Sequence, residues 1–237
     1  MIREILNALM ACVVTFALCA VAYPAAVYAI GHTLFPAQAE GSLIVRDGKV
    51  VGSSLIAQPF ASNKYFRPRP SAAGATGYAA DAASGSNLAT TNPALRDRIA
   101  LEAARQIGHK SGDATLKGHL SRLDALQSDP TREEAAQVLA KILERSAELG
   151  KADGVSVPVD LVTASGAGLD PDISIEAARY QAPRVAAARG LSVERILHRI
   201  EARGDRSGAI FGAPPRLNVL LLNLDLDELA ATSPPHP

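Results

Sequence analysis

The amino-acid sequence predicts an α+β protein with one N-terminal transmembrane helix followed by a mixed α/β domain. Three observations predict this class. Residues 5–30 carry no charged side chain, and a helix needs roughly 20 apolar residues to cross a bilayer core of about 30 Å. Asp47-Gly48 lies between two apolar runs rich in β-branched residues, which is a strong signal for a β-hairpin. Later segments combine apolar residues at helical spacing with capping residues at their ends.

The composition argues against a nucleic-acid partner. Lys+Arg and Asp+Glu are equal at 24 each, so the chain lacks the basic surface that nucleic acids require. The two cysteines, Cys12 and Cys19, both lie in the apolar segment. On one helix their Cα atoms would be about 10 Å apart, which is too far for a disulfide. The thiol-free remainder suits an oxidising compartment.

We expect residues 1–35 to form a retained membrane anchor. Tyr23 and Tyr28 lie near the far end of the apolar run, where aromatic rings favour the headgroup region. Pro24 is expected to kink or end the helix there. The alternative is a cleaved signal peptide, with residues 37–39 (Ala-Gln-Ala) as the cleavage site. A signal peptide has an apolar core of about 7–15 residues, which is shorter than this run.

Charge bias predicts that the N-terminus is cytoplasmic. Arg3 and the terminal amine are the only positive groups on the short side, whereas Glu40 comes first on the far side and Arg46 is the nearest cation there. The positive-inside rule then places the residues after 35 outside the cytoplasm. The expected location is the cell (inner) membrane, as a single-pass protein whose main domain is extracytoplasmic.

The sequence after the anchor predicts an extracytoplasmic domain at 36–230 and a tail at 231–237. Residues 108–153 are expected to form a helical insertion, and 217–224 is apolar enough to be a central strand. Pro183 should bend the helix in which it lies. The predicted helices are 92–107, 129–150, 174–189 and 192–202, the predicted strands are 43–46, 49–56, 155–162 and 217–224, and the predicted loops or linkers are 58–88, 108–117 and 163–171.

The sequence contains no recognised motif for catalysis or metal binding. It has no Walker-type phosphate loop and no Gly-x-Ser-x-Gly element. Asp225 and Asp227 are two residues apart, so on a strand their side chains would face the same side. They are either a pair of carboxylates for acid–base catalysis or a solvated pair that ends the strand. No histidine pairs with Cys or carboxylates at metal-ligand spacing; the histidines are His32, His109, His119, His198 and His236.

Two loops carry candidate interface or structural residues. The first, 63–71, interleaves cations with aromatics and prolines. It is either a loop that docks to anionic headgroups or to the acidic rim of a partner protein, or an ordinary rigid basic loop without a binding role. The second, 163–171, either exposes backbone N–H groups to an anion or forms a tight connection in which Ser165 and Asp170 cap the next helix. The candidate residues are Lys64, Tyr65, Phe66, Arg67, Arg69, Ser71, Thr163, Ser165, Gly166, Gly168 and Asp170.

A series of short motifs follows the uncharged N-terminal span. The motifs are 52–60 (GSSLIAQPF), 65–71 (YFRPRPS), 84–88 (SGSNL), 92–93 (NP), 157–171 (VPVDLVTASGAGLDP), 181–186 (QAPRVA), 218–220 (NVL) and 223–224 (NL). In this order they resemble the C subunit family of the bacterial Kdp potassium-transporting ATPase. Much of the stretch between 107 and 155 is extra relative to that family's pattern.

The resemblance implies a non-catalytic subunit of a high-affinity, ATP-driven potassium uptake complex. The implied partners are a P-type ATP-hydrolysing subunit, a channel-like potassium-translocating subunit and a small peptide subunit. This chain lacks the Asp-Lys-Thr-Gly phosphorylation motif. The family is proposed to raise the pump's ATP affinity, but the predicted topology keeps the main domain away from ATP, so we expect an indirect effect. The alternatives are a membrane-tethered enzyme or binding protein and a membrane-anchored adaptor, both unrelated to transport.

Overall fold

The computed structural model describes residues 1–126, 132–154 and 156–232. These residues form two compact units, Met1–Leu55 and Ile56–Pro237. The predicted fold class is confirmed, because helices and short strands are mixed and one N-terminal helix is long and apolar enough to cross a membrane. The predicted tail and the predicted start of the helix at 129 lie at least in part outside the described residues. The domain boundaries drawn from the sequence stay predictions.

The first unit begins with a continuous helical run, Ile2–Leu34, in which no side chain is buried. It consists of α1 (Ile2–Phe16), a π-helical turn (Ala17–Ala22) and α2 (Tyr23–Leu34). Contrary to one expectation, Pro24 does not end the helix. A proline lacks the N–H group and crowds the carbonyl four residues earlier, and the wider π-helical turn directly before Pro24 accommodates both effects.

A short helix, α3 (Pro36–Ala39), leads into the predicted hairpin of β1 (Leu43–Arg46) and β2 (Lys49–Ser53). The strands are antiparallel. Asp47 and Gly48 both have positive φ, at 50° and 74°, as a tight hairpin turn requires. The hairpin is therefore confirmed, although β2 ends at Ser53 and does not continue to residue 56.

The second unit contains six α-helices, two strands and three 3-10 turns among its described residues. The two strands pair antiparallel. The elements are a 3-10 turn (Ala80–Ala82), α4 (Pro93–Ser111), α5 (Ala114–Leu126), α6 (Arg132–Asp153), a 3-10 turn (Val159–Leu161), β3 (Asp172–Ser174), α7 (Ile175–Arg189), α8 (Val193–Arg203), a 3-10 turn (Ser207–Phe211), β4 (Arg216–Asn218) and α9 (Val219–Thr232).

The main core lies among α7, α8, α9 and the β3–β4 ribbon. Local signals set the ends of two of its helices as predicted. The hydroxyl of Ser174 accepts from the amide of Ala177 at the start of α7, and Gly190 ends α7 with φ of 65°. Ser192 caps α8 in the same way. The core side chains include Phe66, Leu161, Ile173, Val185, Ile196, Ile200, Leu217, Leu222 and Leu226.

The prediction of a central strand at 217–224 is wrong. Only Arg216–Asn218 is extended, and α9 begins at Val219. Val219, Leu222 and Leu226 are buried while Leu221 is 38% exposed, which is helical periodicity. A short, nearly continuous apolar run cannot distinguish a central strand from a core helix, and only packing against α7 and α8 decides between them.

Three other sequence predictions are also wrong. The stretch 155–162 forms a 3-10 turn at Val159–Leu161, and no strand is present in the described part of it. The predicted linker 108–117 is mostly helical, since α4 continues to Ser111 and α5 begins at Ala114 after Gly112 turns the chain with φ of 71°. Gly150 does not end α6 as predicted, since it lies inside the helix and packs against Ile107. The residue with positive φ that follows α6 is Gly154.

The helices α4, α5 and α6 form a second cluster with its own core. Its buried members are Ala104, Leu116, Leu120, Leu123, Val138 and Ile142. No buried residue of α5 or α6 belongs to the main core among the described residues. This separation supports the proposal that 108–153 is a helical insertion, because the main core does not depend on it for burial.

We predict that the main core folds without the α5–α6 hairpin. Replacing 112–151 with a short Gly/Ser linker uncovers the apolar face of α4, so the variant should also carry Leu101→Gln and Ile107→Gln. Hydrogen exchange of the full chain in detergent should then show unchanged protection of α7 and α9. Loss of that protection would contradict the prediction; the two substitutions alone, with the hairpin intact, are the matched control.

Candidate functional site

The first predicted loop is held in the core by two side-chain amides. Asn223 of α9 accepts from the amide of Phe66 at 2.8 Å and donates to the Phe66 carbonyl at 3.0 Å. Gln181 of α7 accepts from the amide of Arg67 at 2.9 Å and donates to the Arg67 carbonyl at 3.1 Å. We call this arrangement the amide clamp.

The amide clamp satisfies the backbone groups of buried Phe66 and half-buried Arg67. Phe66, Gln181 and Asn223 are 0%, 2% and 1% exposed. A hydrogen bond contributes about 0.5–1.5 kcal/mol net, but leaving a buried partner unsatisfied costs about 1–3 kcal/mol. The clamp therefore supplies what a neighbouring strand would supply in a sheet, and it lets the Phe66 ring enter the main core.

Two arginines of α7 bind the residues just before the clamp. Arg184 donates to the carbonyl oxygens of Asn63 at 2.8 Å and Tyr65 at 3.1 Å. Arg189 donates to the carbonyl of Lys64 at 2.6 Å and to Asp227 at 2.8 Å, and its guanidinium lies 5.1 Å from the centre of the Tyr65 ring. Burial lowers the pKa of Arg184 to about 10, so it remains a cation at neutral pH.

Arg69 joins the first predicted loop to the second. Its guanidinium forms a salt bridge with Asp170 at 3.2 Å. It also donates to the hydroxyl of Thr163 at 3.3 Å and to the carbonyl of Ala164 at 3.2 Å. Two segments almost a hundred residues apart in sequence thus meet at one side chain, because the planar guanidinium presents several donors in fixed directions.

The second loop is stabilised from within and does not cap the next helix as expected. The hydroxyl of Ser165 accepts from the amide of Asp170 at 3.4 Å, and the carboxylate of Asp170 accepts from the amide of Asp172 at 3.1 Å. The cap of α7 is Ser174, whose own amide donates to Asp160 at 2.6 Å. Ser165 and Asp170 therefore shape the loop and the start of β3.

Gly168 allows the second loop to pack tightly on a neighbouring segment. A Cβ atom at this position would lie 2.7 Å from both the amide nitrogen of Ala73 and the carbonyl oxygen of Ser84, and φ is 72°. Next to it, the amide of Ser84 donates to Ala167 at 2.9 Å. Only glycine combines this φ with so close a backbone approach.

The sequence-predicted site residues lie in one connected region of the second unit. Ser71 accepts from the amides of Ala73 and Tyr78 at 3.1 and 2.8 Å. Of the predicted set, only Lys64 and Gly166 are exposed, and the others are buried or half-buried. Their role as an interface stays a prediction, whereas their hydrogen bonds show that most of them shape the fold locally.

Sequence reasoning missed the residues that hold these loops, namely Gln181, Arg184, Arg189 and Asn223. One signal was present: Asn223 is the only uncharged polar residue between Val219 and Leu224 in an otherwise apolar run, and a buried polar residue needs a partner. The partner lies 157 positions away in sequence. No local pattern identifies it.

Asp225 and Asp227 do not act as a pair on one face of a strand. Both lie on α9, where residues two apart do not face each other. Asp225 is 6% exposed and binds Arg203 at 2.6 Å, with Arg199 at 3.6 Å. Asp227 binds Arg189 instead. Within the described residues, no three His, Cys, Asp or Glu side chains are grouped closely enough to hold a metal ion.

We predict that breaking the amide clamp destabilises the domain. Asn223→Leu keeps the branched shape and the number of side-chain heavy atoms but leaves the amide and carbonyl of Phe66 unsatisfied, so the free energy of unfolding should fall by roughly 2–4 kcal/mol. Urea denaturation of the full chain in detergent measures this. Gln137→Leu, at an exposed position of α6, is the control and should change stability by less than about 0.5 kcal/mol. Equal stability of the two variants would contradict the clamp.

We predict that two substitutions in the second loop lower the stability of the domain by different amounts. Gly168→Val forces a side chain against two backbone atoms at positive φ, so it should cost more than about 2 kcal/mol of stability. Ser165→Ala removes one long hydrogen bond and should cost about 1 kcal/mol or less. The same urea titration distinguishes them; a Gly168→Val chain as stable as Ser165→Ala would show that the close approach is not required.

The family model KdpC, described as K+-transporting ATPase, c chain, matches residues 5–128 and 122–228. The potassium-transporting ATPase KdpC subunit of Rhodopseudomonas palustris (strain BisB5) is 41% identical over 96% of this chain and 98% of its own length. The subunit of the same name from Janthinobacterium sp. (strain Marseille) is 43% identical over 89% of this chain and 90% of its own length. The one from Myxococcus xanthus is 42% identical over 96% of this chain and 89% of its own length.

These matches extend over nearly the whole chain, including the N-terminal helix, the amide clamp and both loops. They agree with the resemblance that the short motifs indicate. This chain belongs to the KdpC family, the c chains of K+-transporting ATPases.

Proposed function

We propose that this chain is the non-catalytic, accessory subunit of a high-affinity potassium uptake ATPase, and that it assembles and stabilises the complex. Membership of the KdpC family over most of the chain carries the proposal. The candidate membrane span found among the described residues fits a subunit that is anchored beside membrane-embedded partners. The proposed partners are a channel-like potassium-translocating subunit, a P-type ATP-hydrolysing subunit and a small peptide subunit.

The side chains of the predicted site support an accessory role. In the described structure, the hydroxyl of Ser165 contacts a backbone amide, and no histidine or carboxylate is hydrogen-bonded to it as an activating base. Arg69, Arg184 and Arg189 bind carbonyl oxygens and carboxylates of this same chain. These guanidinium groups hold loops of this chain in place, as is expected of a subunit whose role is to bind partner subunits.

We further propose that the N-terminus is cytoplasmic and that the residues after 35 lie outside the cytoplasm. Support comes from Arg3 before the span and from the lack of a cation close behind it. In this topology the domain cannot reach the cytoplasmic site of ATP hydrolysis. Any effect on ATP affinity is then indirect, through the stability of the assembled pump.

We predict that the chain co-purifies with a P-type ATPase and contributes no catalytic group. Complexes that contain Ser165→Ala should assemble in normal yield and retain potassium-stimulated ATP hydrolysis close to the unmodified level. Gly168→Val should lower the yield of complex instead. Normal assembly with complete loss of hydrolysis in Ser165→Ala would contradict the non-catalytic role, and isolation of the chain without any ATPase would contradict the accessory role.

We predict that Ala75→Cys is labelled by a membrane-impermeant thiol reagent in intact cells. Ala75 is exposed, unlike Ala73, which is 0% exposed. Cys12 and Cys19 are first replaced by alanine, so that the introduced thiol is the only one. Ile2→Cys is the control and should react only after lysis. The reverse pattern would overturn the proposed orientation.

A further inference from the structure

The loop between α8 and β4 holds two large apolar side chains in contact with solvent. Ile210 and Phe211 are 89% and 90% exposed, the highest values for large apolar side chains in the described second unit. Residues 207–215 contain no charged side chain, and we call this segment the apolar loop. A contiguous apolar patch on a folded surface marks an interaction site more often than a scattered single residue does.

Contacts between the two residues that flank the apolar loop close its base. Asp205 and Arg216 exchange two backbone hydrogen bonds, at 2.8 and 3.1 Å, and their side chains form a salt bridge at 3.1 Å. The carboxylate of Asp205 also accepts from the amide of Ser207 at 2.8 Å. The apolar loop therefore leaves and re-enters the domain at one point, directly before β4.

Backbone hydrogen bonds also order the apolar loop from within. The amide of Gly212 donates to the carbonyl of Ala209 at 3.0 Å, and the amide of Ala213 donates to the carbonyl of Gly208 at 3.1 Å. Gly212 has a φ of 75°, which glycine adopts without strain. Because its base and its turn are both hydrogen-bonded, the loop has little order to gain when Phe211 enters a binding site.

The charged groups at the base favour a protein partner over a lipid surface. Arg206, directly before the apolar loop, pairs with Glu201 at 3.0 Å. Arg216, directly after it, pairs with Asp205 and lies 3.5 Å from Asp172. These two arginines thus have three acidic partners, so they offer no excess of cations to anionic headgroups. An apolar centre beside charges of both signs is the anatomy of a protein–protein interface.

The apolar loop also borders residues that the sequence analysis named as candidates for an interface. A cleft of about 360 Å³ is lined by residues 213–215 of the loop together with Arg69 and Asp170. A partner bound at the apolar loop thus has both of these candidate residues in the same region of the surface.

We propose that Ile210 and Phe211 anchor this chain to another subunit of the ATPase by entering an apolar pocket on that subunit. The inference rests on the proposed function, in which the chain assembles with partner subunits, and it identifies the side chains that bind. The KdpC family match includes the apolar loop, so a protein partner is expected in the complex. Aromatic side chains are enriched at the centres of such interfaces.

The test is a competition between two tagged copies of the full chain in the same cells. The unmodified chain and a variant carry different epitope tags, and the pump is captured through its P-type ATP-hydrolysing subunit. The ratio of variant to unmodified chain in the captured complex is divided by the same ratio in the membrane fraction. This normalised ratio is independent of differences in expression between the two copies.

Phe211→Gln and Phe211→Met are the matched variants, because the two new side chains have similar length and only Met is apolar. Phe211→Gln should lower the normalised ratio roughly tenfold or more, as expected for the loss of a buried anchor. Phe211→Met should lower it much less, because Met adapts to an apolar pocket. Urea unfolding of the isolated chain should be nearly the same for both variants and the unmodified chain, since position 211 is exposed there.

A tryptophan at the same position distinguishes a partner subunit from other occupants. The chain contains no Trp, so Phe211→Trp introduces a single fluorescent reporter. In the purified full chain the indole should be open to quenching by acrylamide, both in maltoside micelles and in vesicles that contain phosphatidylglycerol. Protection in the vesicles alone would identify a lipid surface, and protection that grows with protein concentration in micelles would identify a second copy of this chain.

Either kind of protection would overturn the inference, and so would a Phe211→Gln chain that enters the complex as well as Phe211→Met does. In that last case the unmodified chain is still captured with the P-type subunit, so the proposed function stands and only the anchor is wrong. Failure to capture even the unmodified chain would overturn the proposed function together with the inference.

Discussion

Two consecutive residues, buried Phe66 and half-buried Arg67, are anchored in the domain although they belong to no helix or strand. Buried backbone amides and carbonyls need partners, and here the side-chain amides of Gln181 and Asn223 supply all four hydrogen bonds. One amide comes from α7 and the other from α9, so the same contacts also tie these helices to one segment. The Phe66 ring, 0% exposed, then fills the space at the centre of the main core.

The amide clamp also determines which groups the neighbouring arginines can reach. With residues 66 and 67 held in place, Arg69 reaches Thr163, Ala164 and Asp170, while Arg184 and Arg189 bind the backbone just before the clamp. A loop whose composition suggests a basic docking surface therefore directs most of its charge inward. Lys64 remains exposed. A rigid surface of this kind suits a subunit that stabilises an assembly, because little order has to be gained on binding.

The helical cluster of α4, α5 and α6 has a different relation to the main core. Its apolar residues pack among themselves, and its link to the rest of the second unit includes polar contacts. Lys110 of α4 lies 5.3 Å from the centre of the Tyr180 ring of α7. Arg67 of the first loop and Arg105 of α4 line the same cavity between loop and helix.

The sequence alone determined the features that depend on neighbouring residues. An uncharged run long enough for a bilayer, a hairpin turn at Asp47-Gly48, and helix caps at Ser174, Ser192 and Gly190 follow from local hydropathy and backbone preference. Only the tertiary structure decided that the apolar run from Val219 is a helix and that Asp225 and Asp227 have separate arginine partners. It also decided which amides satisfy Phe66 and Arg67, because those contacts join residues more than a hundred positions apart and leave no local pattern.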